Sequence, residues 1–276
     1  MKQVLYDPPG PKAMFRHRWL GALVLALLFA FLAFVGVCFF HSGQFNSSRW
    51  YVFGFSAVWV QIAVALGRTL EAFALAGVLS MALGLALALG RLSEHPWLRV
   101  PVTVITEGLR AVPVLVCMML LYYGLPVVGG RVEPYTAVVL GLMVYNGAVL
   151  AEVLRAGVLA LPRGQSEAAC AMGLSRSRVL RLILLPQAIR SMLPAIVAQL
   201  VVTLKDTALG YIITFPELLY FAKQLGSQQG RPILQSAFVI GSLYIVMCLV
   251  LSGLVRYLEG GFSVEVQRPL LDGDAS

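Results

Sequence analysis

Polar residues are sparse along this chain and gather between long apolar runs. Six runs stand out, at roughly 20–40, 69–90, 101–123, 134–154, 191–213 and 234–257. Each is about 20 residues, the length that crosses a ~30 Å hydrocarbon layer at a rise of ~1.5 Å per residue. Leu, Ala and Val follow one another in these runs without alternation, which selects helix over strand. A helix also satisfies its own backbone in lipid. The pattern predicts an all-α integral membrane protein with six transmembrane helices. Between Phe45 and Arg68 the aromatic residues Trp50, Tyr51, Phe53 and Trp59 suit headgroup depth. That segment is expected to be external and partly interfacial, too short for a seventh crossing.

Composition sharpens this picture. The chain is 59% hydrophobic and 12% charged, about half the charge fraction of a soluble domain. The net charge of +8 would suit nucleic acid, but the basic residues are segregated by loop. Lys2, Lys12, Arg16, Arg18, Arg91, Arg99, Arg155, Arg163, Arg176, Arg178, Arg181, Arg190, Arg256 and Arg268 fall on one side of the predicted helices. Arg49, Arg68, Arg131, Lys223 and Arg231 fall on the other. The positive-inside bias places both termini in the cytoplasm and makes membrane lipid, not nucleic acid, the surrounding partner. The run Leu20–Phe40 exceeds the ~7–15-residue core of a cleaved leader, so it reads as a retained helix.

Three regions follow: 1–68 with a cytoplasmic tail, the first helix and the external segment; a helical membrane domain over 69–258; and a cytoplasmic tail over 259–276. Cys38, Cys117, Cys170 and Cys248 lack metal-ligand spacing, and His17, His41 and His95 are scattered, so neither a metal site nor a cofactor is expected.

The most informative loop follows the fourth run, over 160–190. Pro162 and Gly164 break the incoming helix. Ser166 or a neighbour is expected to cap a new helix, with Glu167 in its first turn. Ala168, Ala169 and Ala171 favour helix, Gly173 permits a left-handed end, and Ser175 can cap a second helix that Pro186 interrupts. A helix-turn-helix with a smooth alanine face results, suited to a groove on another protein. By itself such a loop is also readable as a connector with solvated arginines.

The spacing Glu167-Ala168-Ala169, Gly173, Ile183, Leu185-Pro186 resembles the ATPase-docking motif of binding-protein-dependent ABC importers. Glu152 to Gly157, Leu204 to Leu209, and Glu107 to Pro113 with Tyr122 to Pro126 resemble signatures of the polar amino-acid permeases in that group, over about Arg68 to Tyr257. The resemblance implies a type I importer permease fold with an added N-terminal helix, since the typical permease has five. It implies ABC ATPase subunits, a second permease subunit forming a homo- or heterodimer, and an extracellular or periplasmic solute-binding protein as partners in a bacterial inner membrane. The substrate implied is a polar amino acid, glutamate or glutamine in type. The usual Arg-Gly-Thr-Pro reads Arg110-Ala111-Val112-Pro113 here, and the usual Thr/Ser-Ser-Leu reads Thr207-Ala208-Leu209.

Polar groups in hydrocarbon are costly, so they mark a candidate pathway. Counting ~1.5 Å per residue from the run ends puts Asn146, Lys205 and Asp206 near the midplane. With Thr207 they offer donors and acceptors for a zwitterion. Adjacent residues on a helix point ~100° apart, so Lys205 and Asp206 share a ligand only if the helix is broken there. Glu107 with Arg110, and Glu152 with Arg155, are three apart and pair either structurally or as a gate. No phosphate-cradling Gly-Lys-Ser/Thr loop occurs in the sequence, so ATP hydrolysis is assigned to a partner and the chain is not expected to be an enzyme. An ion-coupled secondary transporter, with Asp206 as coupling carboxylate, is the rival reading; a membrane enzyme would need a catalytic cluster that the sequence lacks.

Overall fold

The computed structural model describes residues 10–227 and 232–263, and all regular structure among them is helical. In order these are α1 (Pro11–His41), α2 (Ser47–Trp50), a 3-10 turn (Tyr51–Gly54), α3 (Ser56–Arg91), α4 (Pro96–Ala111) and α5 (Val114–Met119). A π turn (Leu120–Gly124) and a 3-10 turn (Leu125–Val128) extend α5. Then come α6 (Pro134–Leu159), α7 (Arg163–Ala171), α8 (Arg176–Val179) and a π turn (Leu180–Leu184). The chain ends with α9 (Leu185–Asp206), a 3-10 segment (Thr207–Ile213), α10 (Leu218–Gly226) and α11 (Ile233–Ser263). Lys2, Arg231, Arg268 and the predicted tail beyond Ser263 lie outside the described residues.

Among the described residues five helices are long and apolar enough to cross a membrane, or six when the bent pair α4–α5 is taken as one span. The boundaries differ from the sequence pattern in four places, each for a local reason. The second span starts at Ser56, so the boundary expected at Arg68 falls inside α3. Arg68 does not end the apolar run; its Nη1 donates to the Pro216 carbonyl oxygen at 3.5 Å. The interfacial aromatics instead flank the helix start, where Trp59 Nε1 donates to the Phe53 oxygen at 2.8 Å.

The third span is broken, not straight. It bends by 96° between Ala111 and Val114. Val112 is extended and Pro113 begins the next helix, as the clash of a proline ring with a preceding α conformation requires. The fourth span runs on to Leu159.

Pro186 does not interrupt the fifth span, which is continuous over Arg176–Ile213. A proline cannot donate to the carbonyl four residues back and collides with it. The π turn just before Pro186 widens the helix there, and the Gln187 side chain donates to the Ile183 oxygen at 2.9 Å.

The core is centred on α3 and α6. A Cβ on Gly84 would lie 2.9 Å from the Leu150 Cβ and 3.0 Å from the Gly147 oxygen, and one on Gly147 would lie 2.9 Å from a Leu83 methyl. These glycines let two backbones approach, the usual device between membrane helices. Met118, Leu142 and Ile213 join α5, α6 and the 3-10 segment to this pair. Ala88, Leu150 and Ile196 join α9. Ile62, Phe221 and Ile240 bring α10 and α11 against the outer half of α3. α1 stands apart, exposed along its length.

Candidate functional site

The docking-type loop folds as two short helices around a left-handed glycine. α7 begins at Arg163, with Pro162 at its N-cap and no side-chain cap. Ser166 therefore does not cap it; its hydroxyl donates to the Arg163 oxygen at 2.8 Å, and Glu167 falls in the second turn. α7 ends where Gly173 N–H bonds the Cys170 oxygen and Leu174 N–H bonds the Ala169 oxygen. This pair of bonds is a Schellman closure and needs a left-handed residue; Gly173 has φ +85°. Ser175 occupies the N-cap of α8 through its backbone, without a side-chain cap bond.

Ala168 is exposed, Ala169 is 2% exposed, and Glu167 and Gly173 are exposed. Ile183 and Leu185 are half-buried in and beside the π turn, and Pro186 is exposed. The loop therefore presents a small-residue surface while one alanine anchors it.

The two predicted ion pairs form, and an unexpected residue joins them. Glu107 accepts from Arg110 at 3.1 Å. Glu152 takes Arg155 in a two-pronged grip, at 2.6 and 3.0 Å. Arg91, at the end of α3, reaches both carboxylates: Nη2 donates to Glu107 at 2.9 Å, and Nη1 lies 2.8 Å from Glu152 without hydrogen-bond alignment. Its side chain is 6% exposed, against 51% for Glu107 and 26% for Glu152. Arg91 thus ties α3 to α4 and α6. Sequence spacing gave it no partner, because both carboxylates lie far along the chain.

The midplane candidates do not form one cluster. Asn146 is wholly buried between helices. Its amide donates to the Leu142 oxygen at 3.0 Å and its oxygen accepts from Gln199 at 2.6 Å, which links α6 to α9. Thr207 is buried, and its hydroxyl donates to the Leu204 oxygen at 2.6 Å. Lys205 is exposed and Asp206 half-buried. Among the described residues neither forms an ion pair. The α-helix gives way to a 3-10 helix at Thr207, so the turn angle per residue changes there from ~100° to ~120°.

One buried carboxylate escaped the sequence reading. Glu217 is 0% exposed and caps α10, accepting from Leu219 N–H at 2.8 Å, Tyr220 N–H at 2.7 Å and the Tyr244 hydroxyl at 2.7 Å. Burial pushes its carboxyl above the ordinary range, while those three donors pull it back. Leu218 N–H also reaches the Thr69 hydroxyl at 3.3 Å, so this cap fastens α10 to α3 and α11. The signal available was Glu217 directly before an apolar run and after Pro216, a weak N-cap pattern.

The family described as "Binding-protein-dependent transport system inner membrane component" matches residues 80–264. The chain belongs to it. This permease is 40% identical over 222 residues to the glutamate transport system permease protein GluD of Corynebacterium glutamicum, covering 79% of this chain and 81% of that one. It is 32% identical over 226 residues to the glutamine transport system permease protein GlnP of Escherichia coli, covering 75% and 96%. A solved amino acid ABC transporter, crystallised with histidines, superposes on the permease with a TM-score of 0.67 at 32% identity, covering 72% of this chain and 92% of that one. The docking loop, the Arg91 network and the midplane residues all lie inside the family match; α1 and the outer part of α3 precede it. Family membership leaves the ion-coupled secondary transporter without support.

Proposed function

We propose that this permease is the membrane half of an ATP-driven importer for a polar amino acid of the glutamate or glutamine type. The residues Glu167, Ala168, Ala169, Gly173, Ile183, Leu185 and Pro186 seat a separate ABC ATPase. A second permease subunit completes the membrane unit, and a solute-binding protein delivers substrate to its outer face. The assembly sits in a bacterial inner membrane with both termini cytoplasmic, and the permease domain proper begins with α3 at Ser56. The observation that carries this reading is the Schellman turn at Gly173, which projects a small-residue helix from the start of the spanning segment Arg176–Ile213. The substrate class rests on the likeness to the glutamate and glutamine permeases.

Lys205 and Asp206 are the substrate-facing candidates, because their charges are not used in packing. Asn146 and Thr207 hold the frame around them. Glu107, Arg110, Glu152 and Arg155 act with Arg91 as a gate on the docking side. The test is amino-acid uptake by the assembled transporter in cells, with competing amino acids. Gly173→Asp strains a left-handed site and charges the docking turn, so it releases the ATPase and abolishes uptake while membrane insertion persists. Asp206→Ala changes the competition profile. Full uptake by an assembly without its ATPase sinks the docking reading, and an unchanged profile removes Asp206 from the site.

A further inference from the structure

A cavity of about 1350 Å³ opens where the α3–α4 corner faces the docking helices. Its polar wall carries Arg99, Arg163, Arg176 and Arg181 against Glu94 and Glu167. Arg176 is matched, since its Nε lies 3.2 Å from Glu94 Oε1. Three arginines therefore face one remaining carboxylate. The lining also holds aliphatic side chains, with Leu98 and Val102 from α4 and Leu180 and Leu184 from the π turn.

The same helix α4 carries Val100, Val104 and Ile105 on its outside, 55%, 66% and 54% exposed, which is a lipid-facing stripe. At its start Trp97 is 74% exposed and stacks on His95, with ring centroids 6.0 Å apart. An indole in that position marks the membrane–water boundary. The cavity shares α4 with this boundary, which fits headgroup depth, and its lining combines cationic and aliphatic side chains.

We infer that this cavity holds an anionic phospholipid, its phosphate among Arg99, Arg163 and Arg181 and an acyl chain along Leu98, Val102 and Leu184. A zwitterionic lipid gains less there, because its own cation meets the same arginines. A soluble anion gains nothing from the aliphatic side chains. Basic pockets between helix ends on the cytoplasmic side select acidic headgroups on this principle. On α7 the cavity takes the stripe Arg163, Ser166, Glu167 and Cys170, and Ala168 and Ala171 lie on the neighbouring face. A bound lipid would therefore brace the docking helices from the membrane side. The inference rests on the membrane orientation and docking loop of the proposed function, with Glu167 common to both, but it is read out by lipid binding, so its failure leaves the transport assignment standing.

The experiment is native mass spectrometry of the purified permease assembly, offered equal amounts of phosphatidylglycerol and phosphatidylcholine. Phosphatidylglycerol is retained preferentially. Arg99→Gln lowers that preference about fivefold, the value of one arginine near an acidic headgroup. Arg99→Lys preserves most of it, and Arg49→Gln, at the other membrane face, leaves it unchanged. Equal retention of the two lipids overturns the inference, as does an unaltered preference in Arg99→Gln. Displacement of phosphatidylglycerol by millimolar inorganic phosphate shows a free-anion site instead. Its expulsion when the ATPase subunit binds assigns the cavity to the ATPase seat. Either result also overturns the lipid.

Discussion

α1 and α6 are both long apolar helices, and the more apolar of the two touches almost nothing. The spanning window of α1 has a mean hydropathy of 3.0 and none of it is buried within the protein; that of α6 has 1.9 and 61% buried. In water this order would be reversed. In a bilayer the surrounding lipid is as apolar as leucine, so greasiness alone drives no association. What buries α6 is its small residues and its hydrogen bonds. Gly141 and Gly147 admit neighbouring chains, and Asn146 holds Gln199 of α9. α1 is rich in exposed Phe and Leu and meets the rest of the chain through the segment that follows it, where the Gln44 carbonyl accepts from Gln235 at 2.6 Å.

Three substitutions set this contrast at risk, from the strongest to the weakest. Gly147→Leu forces a side chain into a space where even a Cβ meets Leu83 at 2.9 Å. Overpacking of that kind should cost about 3 kcal/mol, seen as earlier unfolding in a denaturing detergent titration. Arg91→Gln removes the guanidinium shared by Glu107 and Glu152. Losing one member of a fully buried pair costs ~3–5 kcal/mol, but Glu107 is half exposed and Glu152 a quarter. The expected loss is about 1–2 kcal/mol, with the inner ends of α3, α4 and α6 gaining amide exchange before the outer ends. Phe29→Ala takes a whole ring from α1, where that residue is 69% exposed. It should shift stability by no more than ~0.5 kcal/mol. A larger effect at Phe29 than at Gly147 would break the comparison.

The parts legible in the sequence are those fixed locally. The left-handed turn at Gly173 is written in a glycine and its spacing, since the bonds that close it span only four to six residues. The ion pairs at Glu107–Arg110 and Glu152–Arg155 are three apart and equally local. Several features were misread or missed because their causes lie elsewhere in the chain or in backbone geometry. Arg68 looked like a loop charge because the carbonyl it reaches, on Pro216, is remote. Pro186 looked like a break because a π turn leaves no mark on hydrophobic periodicity. Arg91 was counted only as an orienting charge, and the bond from Gln199 to Asn146 spans 53 positions, beyond any local pattern.

The π turn at Leu180–Leu184 has a mechanical consequence. By absorbing Pro186 it leaves one 38-residue rod from Arg176 to Ile213, about 55 Å long. The Gly173 turn is attached at one end, and Asp206 lies near the other. A hinge in the middle would let the near end swing while the far end stayed still. Pro194 lies inside that helix, near its midpoint, and is the one place along it where a proline removes a backbone bond without a π turn beside it. A displacement at Gly173 would therefore reach Asp206 as a tilt of the whole segment or as a bend at Pro194.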